Sequence, residues 1–406
     1  MSKEPVITFD HHSAEFAHDS VQRFAELRSR DVPLGFTESH EGFWVASSYE
    51  LVREILSDND TYTVERSADG TKGGKLIPTS AKAPAIIPGI LDGEPHDRLR
   101  RPLRSLFAKP NIERTVAPVA KQLVSDLLDQ VVPLEEFDFA TGFSFSLTVN
   151  TIFEFVGLAE VEDREKFILM LEDAFAIDPE IGADRDALAG STSVQFAAAS
   201  DLVRDVVRAR VADPTEDLIS KMAAPGTDLT EDDVVALTLS IILGGVRTTA
   251  ASLDNMVEHL ASHPDLRDEL REDPSLIPSA VEEMLRLFTV TPLVARTVTT
   301  ETELGGVTLH VGDRVAAVLA LANLDEDQFP DPLEVDTDRS DGMHVTFGLA
   351  THYCLGLWLA RMELRIALEG ILERMPSYEV VTERAQRFSR LGVNNGYAHL
   401  PVRPNV

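Results

Sequence analysis

Cys354 is the only cysteine in 406 residues. It stands in Phe347-Gly348-Leu349-Ala350-Thr351-His352-Tyr353-Cys354-Leu355-Gly356, where Leu355, Leu359, Met362 and Ile366 recur at spacings of three or four. That period predicts a helix, and amides at a helix start, here Leu355 onward, stabilise an anion and lower a thiol's pKa. Gly356 lets the backbone lie close to a flat ligand. A lone thiol in this place is a candidate metal ligand, and the competing reading is an inert buried cysteine, since free Cys is among the most buried residue types.

Other residues could do chemistry alongside it. His96 and Arg100 are four apart and share a helix face, which in isolation could be a basic surface. The run Leu243-Gly244-Gly245-Val246-Arg247-Thr248-Thr249 falls inside a helix predicted to start at the cap Thr230, with Asp233 at the capping-box spacing, and to end at His263-Pro264. Two adjacent glycines there cost about 1 kcal/mol each relative to alanine, so they mark a kink or a close approach to something flat. Glu283 and Arg286 are three apart, a spacing common in helical salt bridges.

These residues need a large frame to bring them together, and the chain can build one. With 406 residues and 44% hydrophobic content it can bury a sizeable core. A formal net charge of −31 argues against nucleic acid and against an anionic membrane surface as partners. One cysteine excludes an internal disulfide and a fused iron–sulfur module. No signal-like stretch opens the chain and no uninterrupted apolar run approaches 20 residues, so a cytoplasmic, unanchored protein is expected. Along the chain, Phe43-Trp44-Val45-Ala46 reads as a strand, Ser48 to Leu56 as a helix, and 113–212 as mainly helical with a break over 178–184. Residues 66–95 are broken by glycines and prolines, Leu304 to Leu309 reads as a hairpin, and Leu391-Gly392-Val393-Asn394-Asn395-Gly396 as a turn in which Asn394 could meet a ligand.

The Cys354 string resembles the haem-thiolate signature of the cytochrome P450 family, Phe-Gly-x-Gly-x-His-x-Cys-x-Gly, at Phe347, Gly348, His352, Cys354 and Gly356, with Ala350 in place of the usual second glycine. Three further motifs follow in family order: His96-x-x-x-Arg100, the oxygen-activation run around Gly244-Gly245 and Thr248, and Glu283-x-x-Arg286 with Arg339 as its third member. The chain thus resembles a bacterial soluble cytochrome P450 over nearly its whole length. The resemblance implies a mainly α fold with a small β lobe, the triangular P450 fold, as one catalytic domain over 1–406. The haem would lie between the long central helix and the helix after the Cys loop, and the β-rich lobe would draw on about 32–65, 290–320 and 380–406.

It also implies haem b (iron protoporphyrin IX) with Cys354 as axial ligand, and propionates anchored by His96, Arg100, Arg296 and His352. Gly244 and Gly245 would lie over the haem, Phe347 and Gly356 would cradle it, and residues 66–95 would cover the substrate. The expected activity is monooxygenation of an apolar organic substrate (hydroxylation, epoxidation or O-dealkylation) in secondary metabolism or catabolism. Thr248 would aid proton delivery, and a separate ferredoxin and its reductase would supply electrons. Arg98, Arg101 and Arg104 would offer a positive patch for an acidic donor.

Arg247 stands where the family usually has an acid, replacing a proton-relaying carboxylate by a permanent cation. Three roles are open: it turns away and pairs with a nearby acid, it anchors a substrate carboxylate, or the enzyme is driven by peroxide. A non-catalytic haem-binding sensor is the reading of another class.

Overall fold

The computed structural model describes residues 6–68, 70–79, 86–164, 166–168, 185–339, 343–388 and 394–405, with backbone alone at 41 and 185–195. The predicted break at 178–184 and the first part of the 391–396 turn lie outside the described residues.

The helices that frame the centre follow from the patterns above. They are α1 (Tyr49–Ser57), α2 (Gly93–Arg100), α3 (Ala117–Val131), α4 (Ser146–Val156), α5 (Arg185–Ala212), α6 (Glu231–Ser262), α7 (Ile277–Leu287) and α8 (Leu357–Arg374). Ser48 caps α1 through its side chain. Thr230 and Asp233 form the capping box of α6, each accepting from the other's backbone N–H. Arg98 of α2 forks onto the same Asp233 carboxylate at 2.9 and 3.0 Å, which ties the start of α6 to α2. At 1.5 Å per residue the 32 residues of α6 run about 48 Å. This helix is apolar and long enough to cross a membrane by length and composition, yet 56% of its most apolar window is buried inside the protein.

Small residues set how closely the helices approach. A Cβ on Gly245 of α6 would meet Ile152 of α4 at 3.0 Å, and one on Gly370 of α8 would meet Val124 of α3 at 2.6 Å. Most buried apolar side chains form one cluster centred on these helices; a second, around Trp44, Ile55, Leu56 and Val315, lies under the sheet and α1.

The strands are β1 (Leu34–Thr37), β2 (Phe43–Ala46), β3 (Tyr62–Thr63), β4 (Phe137–Asp138), β5 (Val294–Val298), β6 (Thr302–Leu304), β7 (Val307–Leu309), β8 (Arg314–Ala317), β9 (Tyr378–Val380), β10 (Gln386–Arg387), β11 (Tyr397–His399) and β12 (Pro401–Pro404). The largest sheet has the order β1-β2-β8-β5-β3, with β2 and β8 parallel and Trp44 opposite Val315. The expected hairpin is β6-β7. The C-terminal strands do not join this sheet: β12 pairs with β4 and β9, and β10 with β11. The 32–65 and 290–320 segments therefore share one sheet while 380–406 builds two small ones, because Phe137–Asp138 on the helical side offers the backbone partners.

Candidate active site

The loop before α8 holds Cys354 through its own backbone. Gly348 N–H bonds Val345 C=O, Tyr353 N–H bonds Ala350 C=O, and Cys354 N–H bonds Phe347 C=O at 2.8 Å. Gly348 takes a φ of +73°, and Ala350, in the position the motif gives to glycine, takes +51°. The glycine is thus explained by backbone conformation more than by space: an L-residue in the left-handed region costs about 1–2 kcal/mol. Glu282 of α7 braces the loop from behind, bonding Arg361 at 2.6 Å twice and His344 at 3.1 Å, and the Arg361 guanidinium lies 4.6 Å over the Phe347 ring. These partners hold the Glu282 carboxyl at about 2 against the opposing effect of its burial. Beside it, Glu283 accepts from Arg286 and from Arg339, each at 2.9 Å, and Asp336 N–H adds a third contact, which is the network the Glu-x-x-Arg spacing pointed to.

Cys354 is an exposed residue whose thiol nevertheless lies deep among protein groups, so it borders a void inside the fold. Its pKa corrects the sequence expectation. The helix begins at Leu357, with Gly356 as cap, so only the Gly356 N–H aims at the sulfur. Burial outweighs that amide and the charges of Arg100, Lys75 and Arg361, and pushes the thiol up.

Around the void the structure gathers the expected cations. Arg100 of α2 donates to the Tyr353 carbonyl, adjoining the sulfur. The His96 and His352 rings meet edge-on at 4.9 Å. His352 Nε2 donates to Asp92 at 2.8 Å, and Asp92 also accepts from Thr63 Oγ1 at 2.6 Å. His96 is 1% exposed and its Nε2 has no partner; Arg296 is 2% exposed and its Nε has none, while its Nη1 reaches only the Ala295 carbonyl. Burial lowers the Arg296 pKa to about 10.

Lys75 joins them, although the sequence reading passed over it. Its charge interacts with Arg296 and with Cys354, and burial brings its pKa down to about 8. Only its place inside a Gly-Gly-Lys-Leu-Ile-Pro run, a cation flanked by small and apolar residues, hinted at it.

On α6 the two glycines part company. A Cβ on Gly244 would meet nothing within 4 Å, so this turn opens on free space, whereas Gly245 points at Ile152. Gly245 serves the packing of α6 on α4. Thr248 Oγ1 donates to the Gly244 carbonyl at 2.7 Å. Arg247 stacks on Phe145 with its guanidinium 4.1 Å from the ring centroid, and its charge reaches the Asp254 carboxyl. Of the expected basic patch, Arg98 is taken up by Asp233, while Arg101 and Arg104 are exposed. A hollow of about 650 Å³ between the end of α4 and α5, walled by Leu158, Val161, Phe167, Leu202 and Val206, contains none of these residues.

Comparison with known proteins settles what family uses this arrangement. The family profile described as Cytochrome P450 matches residues 201–386. A Steroid C26-monooxygenase of Mycobacterium tuberculosis is 31% identical over 345 residues, 84% of this chain and 89% of the relative. The chain belongs to the cytochrome P450 family. A Mycinamicin IV hydroxylase/epoxidase of Micromonospora griseorubida is 30% identical over 371 residues, 89% of each chain. The crystal structure of CYP101J2 superimposes with a TM-score of 0.85 at 28% identity, covering 100% of this P450 and 99% of that chain. The protein is a monooxygenase of the haem-thiolate class, an oxidoreductase that incorporates oxygen from O2. The site fits the group: a lone thiol on an internal void, an open face at Gly244 and again at Gly356, where a Cβ would meet nothing, and two buried nitrogens, His96 Nε2 and Arg296 Nε, that lack partners.

Proposed function

We propose that haem b is held with Cys354 as its thiolate ligand, and that the P450 oxygenates an apolar organic substrate on the Gly244 face of the void. The observation that carries this is the pair of buried, partnerless nitrogens, His96 Nε2 and Arg296 Nε, in a group of basic side chains beside a thiol that opens inward. His96, Arg100, Arg296 and His352, joined by Lys75, would neutralise two propionates, and the burial that now disfavours positive charge on His96, Arg100, Arg296 and Lys75 would then be offset by the paired carboxylates. The bound group supplies electron-rich thiolate–iron chemistry that favours O–O cleavage.

The chain's own residues do the rest. Gly356 and Phe347 allow the flat ring to approach the backbone. Gly244 leaves room above it. Thr248 holds its hydroxyl proton on the Gly244 carbonyl and can turn it toward an acceptor in the void. Leu293 and Val294, before and at the start of β5, would wall the substrate. Arg247 is read as turned away from the substrate toward an acid, the first of its three open roles, because its guanidinium is spread on Phe145 and its charge reaches the Asp254 carboxyl. Electrons would come from a separate ferredoxin and its reductase in the cytoplasm, docking where Lys109 and Arg361 flank the exposed Trp358, each 5.2 Å from its ring.

The test has two readouts. Wild type should show the red-shifted Soret band of a thiolate-ligated ferrous–CO complex, and Cys354→Ser should lose it. Apolar ligands offered as carboxylic acid and neutral methyl ester should then give the same acid-to-ester preference in wild type and Arg247→Ala. An acid preference that disappears in Arg247→Ala would assign Arg247 to the substrate instead.

A further inference from the structure

We propose that His11, His12 and His40 form a zinc-type transition-metal site that braces the loop covering the pocket. One ring nitrogen from each lies within 4.8 Å of the other two. The ring centroids are 4.1 Å (His11–His12), 5.1 Å (His12–His40) and 5.5 Å (His11–His40) apart. Three imidazoles on a tetrahedral zinc, with Zn–N of about 2.0–2.1 Å, place their centroids about 5 Å apart, so the rings stand close to the required spread.

The outer contacts are those that prepare histidine to ligate. A metal-bound imidazole donates its other ring N–H to a carbonyl or carboxylate, which fixes the tautomer and aims the lone pair. His11 Nε2 and His12 Nε2 each approach the Ile77 carbonyl at 2.9 Å, and His40 Nε2 approaches Asp10 Oδ1 at 2.8 Å. Oxygen acceptors require the proton on Nε2 in all three, which leaves the Nδ1 lone pairs as the ligating atoms. On His11, which is buried, Nδ1 has no hydrogen-bond partner, an unusual loss for an ordinary core histidine.

His40 contributes a second, independent sign. It is a non-glycine residue at φ +50° and ψ +47° within a 3-10 turn, a strained conformation that turns its ring onto the other two. A water would complete four ligands, with Asp10 as the outer partner that orients His40 and accepts from the His12 N–H at 2.9 Å.

The placement gives the site a purpose. Three consecutive carbonyls of the covering loop are each held from a different element: Lys75 by the Ala295 N–H at 2.8 Å, Leu76 by Arg314 at 2.7 Å, and Ile77 by the two histidines. A metal locking the histidines would lock the third, two residues from Lys75 and its charge on the pocket. The site shares no residue with the Cys354 centre.

The test uses untagged, haem-loaded protein stripped with a chelator and then dialysed against zinc chloride. Wild type should hold one zinc per chain, with a raised thermal midpoint, and His40→Ala and His12→Gln should each bind zinc at least about 100-fold more weakly. The ferrous–CO Soret band of each variant checks that it is folded. Zinc-edge anomalous scattering from wild-type crystals needs no variant: a peak among the three rings supports the site. Absence of stoichiometric zinc, unaltered binding in His40→Ala, or an anomalous peak only elsewhere overturns it.

Discussion

Asp254→Asn should stabilise this P450, and by an amount that grows as pH rises. Asp254 lies on α6 two turns beyond Arg247 and is buried. Ser144 Oγ is 2.5 Å from its Oδ1 and 3.0 Å from the Ala140 carbonyl. One hydroxyl proton cannot serve both oxygens, and a proton on Asp254 satisfies both contacts. Burial drives its pKa up to about 8 from 3.8. The folded state therefore binds a proton that the unfolded state has lost over roughly pH 4–8, so this group makes stability fall as pH rises through that window. At about 1.4 kcal/mol per pH unit, the step from pH 5.5 to 7.5 changes the Asp-to-Asn difference by about 2.7 kcal/mol. Taking the difference between two pH values removes whatever Asn costs in packing. Glu363 is also pushed up to about 8 by burial but is common to both proteins, so its effect cancels. Urea unfolding of the haem-loaded wild type and Asp254→Asn at both pH values measures the quantity. A difference that stays constant with pH would refute the neutral carboxyl.

Two further outcomes follow from the Cys loop and its support. Ala350→Gly removes a left-handed L-residue at a cost of about 1–2 kcal/mol and returns about 0.5–1 kcal/mol of unfolded-chain freedom, so the variant should gain about 0.5–1 kcal/mol in thermal or urea unfolding; a loss would show that the methyl packs usefully. Glu283→Ala leaves the buried Arg286 guanidinium without its carboxylate and should cost about 3–5 kcal/mol, read as a lower thermal midpoint with faster haem loss. A midpoint unchanged from wild type would mean that the Asn323, Pro332 and Glu334 carbonyls suffice to hold Arg286.

Much of this protein was legible in short stretches of sequence because the physics involved is local. Thr230 and Asp233 cap α6 from three residues apart, Glu283 and Arg286 pair across one turn, and the ligand loop keeps its residues contiguous, so spacing alone carries the geometry. The glycines and prolines of 66–95 likewise marked a stretch without regular elements, although its last residues, from Gly93, already begin α2. What only the tertiary structure decided concerns environment and direction. Gly244 and Gly245 are neighbours in sequence, yet one faces open space and the other meets Ile152, because α4 packs on one side of α6. The thiol of Cys354 is pushed up by burial although a helix follows it, since desolvation by distant segments exceeds one amide. Lys75 and Asp92 enter the site, and Asp254 becomes neutral, through neighbours scores of residues away that no periodicity records. Residue types and spacing determined which groups were present; the packing of α4, α6, α8 and the covering loop determined which of them face the void, and with what charge.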